Sequence, residues 1–150
     1  DSFESAFIKC QLAASNPLPQ KGTLFVSVKD TDKAKILPVI RSFSKQGFKI
    51  LATSGTAQFL IDGGVKTKII NKVSQGSPHC VDALLEDKID IVINTTETRK
   101  SINDSFGIRR TALIKNIPYS LTVSGARACI NSIKRLKAED ITVNPITNFH

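Results

Sequence analysis

Between residues 22 and 136, five short apolar runs alternate with five stretches of helical periodicity, and this alternation limits the fold more than any other feature of the chain. Strands separated each time by a helix cannot form hairpins. They lie parallel, joined by right-handed crossovers, in a sheet with helices on both faces. The sequence therefore predicts an α/β fold, a three-layer αβα arrangement around a five-stranded parallel sheet, with 3-2-1-4-5 taken as the strand order. Strands are expected over residues 24–28, 48–52, 65–70, 89–93 and 119–123. The run Ile89 to Ile93 is apolar almost throughout, as a central strand requires, whereas residues 65–70 alternate and fit an edge with one wet face. The first helix is expected over 31–46, ended by Gly47, with a kink or late start at Pro38. Helices over 56–61, around Leu84, over 99–115 with an interruption near Gly107, and over 126–136 complete the alternation. Residues 137–150 read as a C-terminal tail.

Ahead of this pattern, Phe3, Phe7, Cys10 and Ala14 fall on one helical face, and Pro17 and Pro19 break it. Residues 1–19 thus read as the end of a preceding domain plus a linker. A chain that starts at Asp1 and contains no Met reads as a piece of a longer polypeptide.

Composition narrows the class. A hydrophobic content of 41% with 23% charged residues is that of a globular domain, and no apolar run is long enough to span a bilayer, so no membrane partner is expected. The net charge of +8 raises nucleic acid as a partner, yet the cations are dispersed and the eight Phe fall mostly at core positions rather than as stacking platforms. A small anion accounts for local positive charge equally well, and no nucleic-acid partner is expected. Cys10, Cys80 and Cys129 show no paired spacing, which fits reduced thiols in a cytoplasmic protein. With only His79 and His150 beside them, no metal site is expected.

The second and fourth strands run into small hydroxyl and amide residues, Thr53-Ser54-Gly55-Thr56 and Asn94-Thr95-Thr96. In a parallel sheet these clusters sit at the carboxyl ends of strands, where helix N-termini converge on one crevice. Lys33 and Lys72 lie near the ends of two other strands and can supply point charges. Together these residues suit a phosphate ester, although Thr and Asn also end strands and cap helices without any ligand. Catalysis is less legible. Asp30, Asp32, Asp62, Asp82, Asp90 and Asp104 read as caps or solvated faces, and His79 reads as a structural hydrogen-bonding residue. No nucleophile elbow, Walker loop or dinucleotide fingerprint is present, so no catalytic residue is assigned.

Several segments in order, Leu24-Phe25-Val26-Ser27-Val28 with Asp32-Lys33, Lys45-Gln46-Gly47-Phe48, Ala52-Thr53-Ser54-Gly55-Thr56, Val73 through Pro78-His79, Ile93-Asn94-Thr95-Thr96 and Ile108-Arg109-Arg110, resemble the C-terminal allosteric domain of the carbamoyl-phosphate synthetase large subunit. The resemblance spans about residues 20–136. It implies a methylglyoxal-synthase-like fold whose pocket binds UMP as inhibitor and IMP as activator. It further implies a phosphate site of Lys33, Thr53, Ser54, Gly55, Thr56 and Lys72, a nucleoside site of Asn94, Thr95 and Thr96, and an ornithine contact at Tyr119. Where the family pattern has a hydroxyl residue two positions on, this chain has Leu121. The implied partners are the remainder of the large subunit and the small glutaminase subunit. ATP and Mg or Mn belong to the parent enzyme's chemistry, with no cofactor in this domain. The alternative on the same fold is a phosphate lyase of the methylglyoxal synthase type, whose pattern places a catalytic Asp in a Gly-Gly-Asp turn. Here that turn reads Gly76-Ser77-Pro78.

Overall fold

The computed structural model describes residues 18–95 and 99–147, with backbone only for 99–105 and 140–147. In chain order the elements are β1 (Thr23–Ser27), α1 (Asp30–Lys45), β2 (Lys49–Ala52), α2 (Ser54–Asp62), β3 (Lys68–Ile69), a 3-10 turn (Val73–Gln75), α3 (Cys80–Leu85), β4 (Ile91–Asn94), α4 (Arg99–Ile114), β5 (Tyr119–Ser120) and α5 (Val123–Thr147). The five strands form one all-parallel sheet in the order β3-β2-β1-β4-β5. The expected topology and order are therefore present.

Strand alternation divides the core between two faces. Leu24, Val26, Ile50, Ile91 and Ile93 meet Ile36, Ile40 and Phe43 of α1, Leu60 of α2 and Ile130 and Ile133 of α5. Phe25 and Val92 point the other way, against Cys80 and Leu84 of α3, Ile108 of α4 and the partly buried Tyr119. β4 is buried at all four positions because helices cover both its faces.

Local departures from the sequence reading have identifiable causes. α1 begins at Asp30 and continues through Pro38 without a late start. Its buried stripe of Ile36, Val39, Ile40 and Phe43 outweighs the ~3 kcal/mol that an interior proline costs. Gly47, at φ +96°, ends the helix as expected. α2 starts at Ser54 rather than Thr56, with Thr53 as its N-cap. β3 shrinks to two exposed residues, since only Lys68 and Ile69 find register partners, on Leu51 and Ala52. α4 runs unbroken past Gly107, and a methyl there would meet only Val81 at ordinary contact distance. β5 stops at Ser120 because the Thr122 hydroxyl accepts from Gly125 N–H at 3.0 Å and starts α5. α5 then continues to Thr147, through most of the stretch read as a tail. Leu18 is buried in the core, so the linker's last residues pack on this domain. The helical face at Phe3, Phe7, Cys10 and Ala14 lies outside the described residues. No helix among the described residues is long and apolar enough to cross a membrane.

Candidate functional site

The carboxyl edge of the sheet is built by register. Ser27 pairs with Asn94, and Thr53 follows the pairing of Val26 with Ala52, so Asn94, Ser27 and Thr53 form a transverse polar row across β4, β1 and β2. Each lies two residues beyond an inward residue of the α3–α4 face, Val92, Phe25 and Leu51 respectively, so all three project from that face. The Ser27 and Thr53 hydroxyls are 3.0 Å apart and hydrogen-bonded. Asn94 and Thr53 are both buried. In the sequence Ser27 is simply the penultimate residue of the first apolar run. What makes it a candidate is its register opposite Asn94, which no one-dimensional pattern contains.

Two of the expected ligand hydroxyls hold the backbone beside this row. Thr56 Oγ1 accepts from Val28 N–H at 3.2 Å, and Thr95 Oγ1 accepts from Lys29 N–H at 2.9 Å. Together they clamp the loop between β1 and α1, which in turn carries Asp30 and Lys33. Neither Lys29, the N-cap of α1, nor Thr53, the N-cap of α2, makes a side-chain cap. The first turn of α2, Ser54-Gly55-Thr56, also contains no acidic residue, and Ser54 and Gly55 are exposed. An uncapped N-terminus carries partial positive charge and unpaired N–H groups, both of which favour an anion.

Lys33 lies over this turn. A methyl built on Gly55 would lie 3.4 Å from Lys33 Nζ, so the Lys33 ammonium stands directly over the glycine. Lys33 Nζ also donates to Asp30 Oδ1 at 2.6 Å. That hydrogen bond, then the Lys33 charge and, more weakly, the Lys72 charge, hold the Asp30 carboxyl below its usual range. The Lys72 side chain itself is exposed. Its backbone is fixed by Lys72 N–H donating to Gln75 Oε1 at 2.8 Å. Thr96 lies outside the described residues. Tyr119 is placed at the same edge, where its hydroxyl accepts from Asn94 Nδ2 at 3.0 Å, and burial raises its pKa.

Of the candidate acids, Asp82 and Asp90 occupy structural positions, as does His79, while the Asp104 side chain lies outside the described residues. His79 caps α3, its Nδ1 accepting from Asp82 N–H at 3.3 Å while its own N–H donates to Asp82 Oδ2 at 3.0 Å. The backbone bond from His79 and then a bond from Ser77 lower the Asp82 pKa. Asp90 Oδ2 accepts from Thr23 N–H at 2.8 Å at the opposite end of the sheet. Among the described residues no group of three His, Cys, Asp or Glu could hold a metal ion.

A groove of about 890 Å³ lies at the amino ends of the strands, lined by Thr23, Lys49, Leu51, Lys68 and Asp90 among others. Ser44, in the last turn of α1, also lines it. Helix C-termini carry partial negative charge. Despite its lysines, that end offers a phosphate less than the carboxyl edge does.

Comparison with known proteins places this geometry. An MGS-like domain family model matches residues 35–121. The carbamoyl phosphate synthase large chain of Mesorhizobium japonicum is 46% identical over 147 residues, covering 98% of this chain and 13% of that protein. The large chain of Methanobrevibacter smithii is 46% identical over 146 residues, covering 97% of this chain and 14% of that protein. The C-terminal section of the large chain from Methanopyrus kandleri is 41% identical over 150 residues, 99% of this chain and 28% of that protein. The chain thus spans a small part of the relatives it matches. Among solved structures, methylglyoxal synthase from Elizabethkingia anophelis superposes with a TM-score of 0.58 at 18% identity, covering 75% of this chain and 79% of that one, a likeness of fold. With its family match covering more than half the chain and the corresponding parallel sheet in place, this chain belongs to the MGS-like domain family.

Proposed function

We propose that this is a regulatory domain that binds a nucleoside monophosphate through its phosphate, as the MGS-like section of a carbamoyl phosphate synthase large chain. The observation that carries the reading is the Lys33 ammonium standing over Gly55 at the uncapped, acid-free start of α2, beside the Ser27–Thr53–Asn94 row. Lys33, Thr53, Ser54, Gly55, Thr56 and Lys72 form the phosphate end of the pocket, and Asn94, Thr95 and Thr96 the nucleoside end. UMP as inhibitor and IMP as activator are the effectors. The domain performs no chemistry itself. It controls carbamoyl phosphate synthesis for pyrimidine and arginine formation in a cytoplasmic enzyme made of the rest of the large chain and a small glutaminase subunit. Tyr119, through Asn94, ties β5 to the nucleoside end, and ornithine is a further effector to test there.

The fold likeness to methylglyoxal synthase favours a lyase as the second reading. Against it, the turn after β3 reads Gly76-Ser77-Pro78, and the neighbouring Asp82 carboxylate is engaged in capping α3. Calorimetric titration of the chain with UMP, IMP and uridine tests the proposal. Losing a hydrogen bond to a charged group costs about 1.5–3 kcal/mol, so Lys33→Ala, Lys72→Ala or Thr53→Val weakens nucleotide binding roughly 10- to 150-fold. Uridine binds far more weakly than UMP. Equal binding of the two overturns the pocket, and methylglyoxal formed from dihydroxyacetone phosphate, lost on Lys72→Ala, establishes the lyase.

A further inference from the structure

Lys33 already has an anionic partner. Its Nζ lies 2.6 Å from Asp30 Oδ1, one turn earlier at the start of α1, and on its other side it covers Gly55. The two partners differ in freedom, since the Lys33 side chain is 20% exposed and that of Asp30 is 85% exposed. Lysine is the fixed member, packed over the α2 turn, and aspartate the member able to swing into solvent. The other acid of this turn, Asp32, faces Lys29 at 4.0 Å. From this geometry we infer that the Asp30 carboxylate is an internal counter-ion of Lys33, which an incoming phosphate displaces, and that Asp30 thereby sets how tightly the pocket holds a phosphomonoester.

The inference rests on the phosphate pocket proposed above. A phosphomonoester carries about −1.5 to −2 charges near neutral pH and three acceptor oxygens, against one charge and two oxygens for the carboxylate. It therefore outcompetes Asp30 at a site that also includes Lys72 and the α2 N-terminus. A monoanion has no such advantage, so the built-in carboxylate keeps weaker anions out. Even after displacement Asp30 remains a like charge anchored at the edge of the pocket.

Calorimetric titration of the chain with UMP, in ~50 mM and in ~1 M NaCl, tests this. Exposed ion pairs are weak, so Asp30→Asn is expected to tighten UMP binding about 2- to 10-fold at low salt. The gain shrinks toward nothing at ~1 M, where the screening length falls to about 3 Å. Asp30→Glu, which keeps the charge, stays close to the parent, and uridine binding changes with neither variant. Circular dichroism confirms that the exposed, isosteric Asp30→Asn variant is folded. If Asp30→Asn leaves UMP binding unchanged or weakens it while Lys33→Ala still costs 10-fold or more, Asp30 does not compete and the pocket stands. If Lys33→Ala is also without effect, the pocket itself fails and the inference with it.

Discussion

Hydroxyl residues that look alike in the sequence separate by what their oxygens hold. Thr53 reaches Ser27 across the sheet edge, whereas Thr56 and Thr95 accept from the Val28 and Lys29 backbones. Thr56→Val leaves a buried N–H without its partner, which costs about 1–3 kcal/mol. The expected outcome is a lower urea midpoint for Thr56→Val and Thr95→Val. Thr53→Val, whose loss falls on a part-buried side-chain pair, retains more of its stability while losing nucleotide affinity. Equal midpoints for the three variants would remove the distinction. Lys33, Thr53 and Asn94 were legible as candidates for the proposed site because each sits at or just beyond the end of an apolar run. Ser27 and Asp30 were not, because their importance comes from partners 67 positions and one helical turn away respectively.

The elements follow the hydrophobic periods closely, and the departures occur where a local rule competes with burial. Pro38 is exposed within α1, yet the helix passes through it on the strength of its buried face. Pro38→Ala restores an N–H donor toward the preceding turn and removes the ring's clash there. Because alanine also leaves the unfolded chain freer, the net gain is smaller than the full propensity difference, about 1–2 kcal/mol. Thermal unfolding should show the variant to be more stable, and a loss would mean that the ring packs against a neighbour. Strand lengths were overestimated at both sheet edges. An apolar run is counted as strand by composition, but a residue belongs to the sheet only if a neighbouring strand is long enough to pair with it, and β3 and β5 each find two such partners.

Across the whole molecule the two described thiols lie buried on opposite faces of the sheet, Cys129 on α5 and Cys80 at the start of α3. Burial pushes Cys80 up to about 11 and Cys129 up to about 12, against ~8.5 for an unfolded thiol. Between those values the unfolded chain has released protons that the folded chain retains, so stability falls as pH rises. The contribution is fully present below about pH 8.5 and is lost from there up to about pH 11 for Cys80 and about pH 12 for Cys129. Urea midpoints measured from pH 7 to 10.5 should decline, and the Cys80→Ala/Cys129→Ala variant should decline less; identical slopes would exclude the thiols as the cause. The sequence by itself determined the layered parallel architecture and marked the carboxyl edge of the sheet as the place for a candidate site. Hydrophobic period and the right-handed crossover act along the chain, and both are written in consecutive residues. Only the tertiary structure decided which polar groups share that edge and which of them are already engaged. Register between β1, β2 and β4 aligns Asn94, Ser27 and Thr53, and packing sets Lys33 between Asp30 and Gly55. These relations exist between strands and helices rather than within them, and a hydrogen bond across the sheet leaves no periodic trace in the sequence.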